Sequence, residues 1–147
     1  MMVEHPRTLL LEATLSRAAS KEAVLAELAT LAGSRLGLEV RAVAAAIGAR
    51  EQLGSTGVGK RVALPHARLP GLPQAAGVFA RLARPVEWGA IDHQPVDLVF
   101  LLLSPAGEDA AHLADLAAIS RRLRNPDTAA ALRKAAEPAA LMSLLDI

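Results

Sequence analysis

The run VDLVFLLLS at 96–104 carries one charge, Asp97, and is otherwise apolar up to its terminal serine. It is far shorter than the roughly 20 apolar residues a membrane span requires. Its length and its valine and phenylalanine content suit a strand. A strand that is apolar at successive positions must be covered on both faces. The chain therefore needs helices above and below this strand, and a sheet with one solvated face is excluded.

Helices to supply that cover are legible on both sides of the run. Ser20 is a natural N-cap for a helix reaching about Gly33, with Val24, Leu25, Leu28, Leu31 and Ala32 as its inward stripe. A second helix fits 40–51 through Val40, Val43, Ala44 and Ile47, and a third fits 108–123 through Leu113, Leu116, Ile119 and Leu123. Asn125 caps a short helix opened by Pro126, and a last helix runs from Pro138 to about Leu145. Further strands are expected at 8–13, 61–64 and 75–82. Interleaved helices and strands with a helical C-terminal third predict an α/β (α+β) fold: one three-layer domain over 1–147.

The 147 residues are enough to bury a core unaided, and the lack of cysteine excludes disulfides, thiolate nucleophiles and cysteine metal sites. A net charge of +1 and only three aromatics, Phe79, Trp88 and Phe100, argue against a nucleic-acid partner. Arg121, Arg122 and Arg124 fall at a helix end, where cations complement the dipole. Four widely spaced histidines lack a short ligand pair, so no metal is expected. The N-terminus has neither the basic start nor the long apolar stretch of a signal peptide, and no stretch suits membrane insertion. A cytoplasmic protein is the expectation.

The stretch GSTGVGKR at 54–61 has the glycine and lysine spacing of a nucleotide-binding loop. Such a loop places a Ser or Thr hydroxyl on magnesium directly after the lysine. Here that position is Arg61. A guanidinium has no lone pair for a metal, and at about 4 Å it repels each unit of metal charge by roughly 4 kcal/mol. Pro65 also prevents a helix from starting at Lys60 and continuing. The glycines of this stretch must serve another purpose.

The segment continues into LPHARLPGL, which sets His66 directly after Pro65. A histidine held by turned backbone has one ring nitrogen for the scaffold and the other, when neutral, for use as base, ligand or nucleophile. Taken alone, such a residue reads first as a histidine satisfied within its loop.

The longer string REQLGSTGVGKRVALPHARLPGL, 50–72, resembles the phosphorylation-site region of IIA domains of the mannitol/fructose class of the bacterial phosphotransferase system, most closely the nitrogen-regulatory branch. SKEAVLAEL, WGAIDHQPVDLVFLLLSP and HLADLAAISRRLRNP extend the likeness over essentially the whole chain. The resemblance implies a mixed central β-sheet flanked by helices, His66 as phosphoacceptor, His112 as its partner histidine and Arg50 as the active-site arginine. Ser55 and Thr56 are candidate phosphate-binding residues through their hydroxyl donors, and equally local backbone caps. It further implies an HPr-type phosphocarrier as donor, no cofactor, and a regulatory output to target proteins through the phosphorylation state. No fused IIB or IIC domain is expected. Two other readings are a sugar-transport IIA that hands phosphate to a separate IIB domain, and a binding module that is never phosphorylated. Arg61 and Ala67 stand where many relatives carry glycine or another small residue, and His93 is assigned no role. Trp88 is read as an anchor for its loop, and His5 as solvent-exposed.

Overall fold

A computed structural model describes residues 9–145. Thr8, where the first strand was expected to begin, and His5 lie outside the described residues. Among the described residues the order is β1 (Leu10–Ser16), α1 (Lys21–Leu36), α2 (Val40–Gln52), β2 (Gly57–Gly59), β3 (Val62–Ala63), β4 (His66–Leu69), β5 (Ala76–Val86), β6 (Val96–Pro105), α3 (Asp109–Arg124), α4 (Pro126–Lys134) and α5 (Pro138–Leu145).

The strand read from VDLVFLLLS is the middle of the sheet, and every residue from Val96 to Ser104 is buried. The sheet order is β1-β5-β6-β3-β2, with β4 also paired to β6. β5 runs antiparallel to β6, whereas β1 lies parallel to β5 and both β3 and β4 lie parallel to β6, so the sheet is mixed. Alternation divides β6 between two cores. Val99, Leu101 and Leu103 pack with Val24, Leu28, Val43 and Ile47 of α1 and α2. Leu98, Phe100 and Leu102 pack with Ile119, Leu123, Leu132 and Leu141 of α3, α4 and α5. The expected three layers are present, with the helices divided two and three across the sheet.

Several boundaries differ from the sequence reading. The first helix runs past Gly33 to Leu36 and ends at Gly37, whose φ of 71° forms the left-handed cap. Gly33 sits inside because a Cβ there would lie 2.2 Å from Val40 Cγ2, so it marks where the chain returning into α2 approaches most closely. On α2 the buried residues are Val43 and Ile47, while Val40 and Ala44 face out. On α3 the expected stripe holds at Leu116, Ile119 and Leu123, but His112 turns inward in place of Leu113, which is 66% exposed. Both settings satisfy a 3.6-residue period, so periodicity cannot choose between them.

The glycine-rich stretch forms a tight hairpin. Gly59 pairs with Val62, and the two turn residues, Lys60 and Arg61, have φ of 55° and 66°. Two positive φ values define the turn that normally selects Asn-Gly, and each non-glycine residue there costs roughly 1 kcal/mol or more. Tertiary contacts offset this strain. Lys60 N–H donates to Asp92 at 3.0 Å, and the nearly buried Asp97 sits between Arg61 Nη2 at 2.6 Å and Arg133 Nε at 3.0 Å. Lys60→Asn should therefore stabilise the protein by about 0.5 kcal/mol or more. Arg61→Gly should gain less, because Asp97 loses a partner. Urea unfolding midpoints of the two variants provide the measurement.

Candidate functional site

β3 and β4 together read as one strand beside β6, interrupted at Leu64 and Pro65. Val62 and Ala63 pair with Leu98 and Val99, and pairing resumes with His66 opposite Leu102. Proline has no N–H to give to a ladder, so pairing with β6 lapses at Pro65, while Leu64 N–H continues the β2 side of the hairpin by donating to the Thr56 carbonyl at 2.9 Å. The Pro65 carbonyl still accepts from Leu102 N–H at 3.0 Å, which carries the chain back into register. His66 thus opens a strand, although turned backbone was expected. Its register with Leu102 puts its side chain on the sheet face that meets α3.

The break also frees the Leu64 carbonyl, which lies 2.7 Å from His66 Nδ1. A carbonyl only accepts, so Nδ1 carries the proton and Nε2 keeps its lone pair. Arg50, in the last turn of α2, points its Nε–H at that lone pair at 3.3 Å and anchors Nη1 on the Gly54 carbonyl at 2.9 Å. Both contacts require the same neutral tautomer. Burial lowers the His66 pKa; the Arg50 charge adds to this, while the bond to Leu64 works the other way.

His112 stands beside this ring, with centroids 5.3 Å apart and planes inclined by 54°. It is buried in the first turns of α3, and its Nδ1 lies 2.6 Å from the hydroxyl of the fully buried Ser104. Burial, helped by the neighbouring His66 and the Arg68 charge, pushes its pKa down to about 4. A cleft of about 750 Å³ is lined by Arg50, His66, Arg68, Asp109 and His112, with the exposed Leu53 and Leu113 among its walls. A second cavity of about 290 Å³ touches the other side of His66 and Arg50 and is lined by Ser55, Thr56 and Ser120.

All five sequence candidates therefore converge, but Ser55 and Thr56 do so with their hydroxyls engaged. Ser55 Oγ donates to the Trp88 carbonyl at 2.9 Å and accepts from Gly57 N–H at 3.1 Å. Thr56 Oγ1 donates to Glu51 and accepts from Trp88 Nε1 at 3.1 Å. Glu51 also binds Lys21 of α1 at 2.7 Å, and Lys21 lies over the Trp88 ring. Trp88 is the expected loop anchor, and the loop it secures is the one that holds Arg50 against His66. Lys21 and Ser104 gave no local signal in the sequence. Arg68 would have been found from period-two spacing had His66 been read as the start of a strand.

The pattern of the family described as phosphoenolpyruvate-dependent sugar phosphotransferase system, EIIA 2, matches residues 11–146. The chain belongs to this family. It is 48% identical over 126 residues to the nitrogen regulatory protein of Bradyrhizobium diazoefficiens, covering 86% of this chain and 82% of that protein. It is 38% identical over 143 residues to the nitrogen regulatory protein of Escherichia coli K12, covering 91% and 88%. Among solved structures, nitrogen regulatory protein IIA-Ntr from Neisseria meningitidis superposes with a TM-score of 0.82 at 31% identity, with 92% of each chain covered. IIA mannitol from Escherichia coli has a TM-score of 0.75 at 19% identity over 92% and 94% of the two chains, a likeness of fold. This EIIA domain thus falls on the nitrogen-regulatory branch, and its family is a phosphoryl-transfer component. Among the described residues, no helix is long and apolar enough to cross a membrane.

The low His112 pKa has a stability consequence. An unfolded histidine titrates near 6.5 and the native one near 4, so between these values the unfolded chain takes up a proton that the native EIIA domain refuses. The stabilisation by neutral His112 is complete above pH 6.5 and is lost as pH falls toward 4. Between about pH 7.5 and pH 5 this amounts to roughly 2 kcal/mol. His112→Gln should remove most of that slope, measured by urea unfolding across this range.

Proposed function

We propose that His66 is the phosphoacceptor of this EIIA domain and that an HPr-type phosphohistidine carrier is its donor. The observation that carries the reading is the fixed tautomer: Nδ1–H is held by the Leu64 carbonyl, so the Nε2 lone pair faces an open cleft beside an arginine. In the transfer, the Nε2 electron pair forms the new P–N bond as the donor's P–N pair returns to the donor nitrogen. No proton has to move. Both bonds are phosphoramidates of similar energy, so the step is reversible and needs no cofactor.

Loose phosphoryl transfer depends on positioning and on stabilising charge spread over the oxygens. Arg50 supplies a charge-assisted donor at the point where the phosphoryl group arrives. In the tautomer in which the Ser104 hydroxyl donates to its Nδ1, His112 offers Nε2–H to the same group as a neutral donor. Ser55 and Thr56 border the second cavity, and they reach the phosphoryl group only by releasing Trp88 and Glu51. Their part in phosphate binding is to hold the loop that bears Arg50's anchor.

We read the output as regulatory, because the phosphoryl group adds about two negative charges to a surface that partners contact. This is supported by relatives at 48%, 42% and 38% identity, all nitrogen regulatory proteins. A fructose-specific EIIA component matches only 53% of the chain. The transport reading draws on the mannitol IIA, which has been solved in complex with phosphorylated IIB mannitol.

Incubation with phosphorylated HPr should label the protein with acid-labile, alkali-stable phosphate, and His66→Ala should abolish the label. Label that persists in this variant would reject the assignment. Arg50→Gln should slow transfer by roughly 10²-fold or more, and His112→Ala by roughly 10-fold to 100-fold. Because burial holds His66 neutral, labelling should continue below pH 6.5, and a steep loss centred at that pH would contradict the geometry. Rapid transfer from the labelled protein to a fructose or mannitol IIB domain would favour transport.

A further inference from the structure

Arg68 belongs to the same cleft but has no part in the transfer as described. It lies two positions beyond His66 on β4, so the pleat sets both side chains on one face, and its register partner is Ser104, the residue that holds His112. Its guanidinium is paired to Asp109, in the first turn of α3 one helical turn before His112. Arg68, Asp109, His66 and His112 all line one cavity.

We propose that Arg68 is a second phosphoryl-binding cation, held off the site by Asp109 until His66 is phosphorylated, so that phosphorylation transfers Arg68 from Asp109 to the phosphoryl oxygens. This rests on His66 being the phosphoacceptor. The present pair is weak by construction: the two side chains are 50% and 69% exposed, and ion pairs at such exposure contribute little. A phosphoryl group carries nearly twice the charge of a carboxylate and offers three acceptor oxygens to a planar fork. Arg68 already lies close enough for its charge to act on both imidazoles. Its release leaves an unpaired carboxylate at the exposed start of α3, one turn before the exposed Leu113. The phosphorylation state is thereby written on the helix surface as well as at the histidine.

The test is the equilibrium constant for phosphoryl transfer from phosphorylated HPr, measured with labelled carrier for the wild type, Arg68→Gln, Arg68→Lys, Asp109→Asn and the double variant Arg68→Gln/Asp109→Asn. Arg68→Gln should lower the constant by several-fold, and Arg68→Lys should restore most of it. Asp109→Asn should raise it by up to about fivefold, the most that an exposed pair withholds. The double variant should match Arg68→Gln within about twofold, since the effect of Asp109 on the phosphoryl group runs through Arg68 and its exposed charge adds little directly. The ³¹P chemical shift of the phosphohistidine should move in Arg68→Gln and stay in place in Asp109→Asn. An Arg68→Gln constant equal to that of the wild type overturns the proposal, as does an Asp109→Asn gain that persists without Arg68. A wild type that accepts no phosphate overturns the phosphoacceptor reading and this inference with it, whereas a labelled wild type with an indifferent Arg68→Gln overturns this inference alone.

Discussion

The interruption of a strand at Pro65 governs the site. β6 is buried on both faces and cannot yield, so the chain beside it must pair, break and pair again in register. At the break one carbonyl, that of Leu64, accepts from an imidazole, and that single bond selects the tautomer and leaves Nε2 to the cleft, while the Pro65 carbonyl returns the chain to β6. The arrangement requires no strain at His66 itself. The positive φ values lie at the far end of the hairpin, at Lys60 and Arg61, where Asp92 and the Arg61–Asp97–Arg133 cluster hold them.

Electrostatically the cleft has two neutral imidazoles beside two arginines and the carboxylate of Asp109. Burial depresses both histidines, and the arginines add to this, so the pair remains neutral through the physiological range. With His66 as the proposed phosphoacceptor, the nucleophile is unprotonated before a donor binds. Around it, the second ring of contacts ties elements distant in sequence. Lys21 of α1, Glu51 of α2, Thr56 of the loop and Trp88 before β6 form one continuous set of bonds. These contacts hold the loop against which Arg50 rests.

Much of this was legible from the residues. The doubly buried strand, the caps at Ser20 and Asn125, Pro126 opening α4, and the three layers follow from local pattern and appear as expected. The rejection of a nucleotide loop at GSTGVGKR also stands on local chemistry, and the structure shows a hairpin there instead. Where the inward stripe of α3 begins was not legible, because His112 and Leu113 both lie within one turn of Leu116; in the fold it is His112 that turns in, bonded to Ser104. The end of α1 was misplaced for a related reason: Gly33 looks like a stop signal but serves close packing against Val40.

By itself the sequence determined that the strand at 96–104 must be covered on both faces, where helices start and which histidine a proline presents, because these depend on neighbours along the chain. The tertiary structure alone decided which nitrogen of His66 is free, that Thr56 and Ser55 are bound to Glu51 and Trp88, and that Arg68 and Asp109 face one another across the cleft. The bonds to Trp88 and the Arg68–Asp109 pair join elements distant in sequence, while the Leu64–His66 bond spans two residues at the break in pairing beside β6. Such contacts depend on how strands and helices are brought together, which no single stretch of residues encodes.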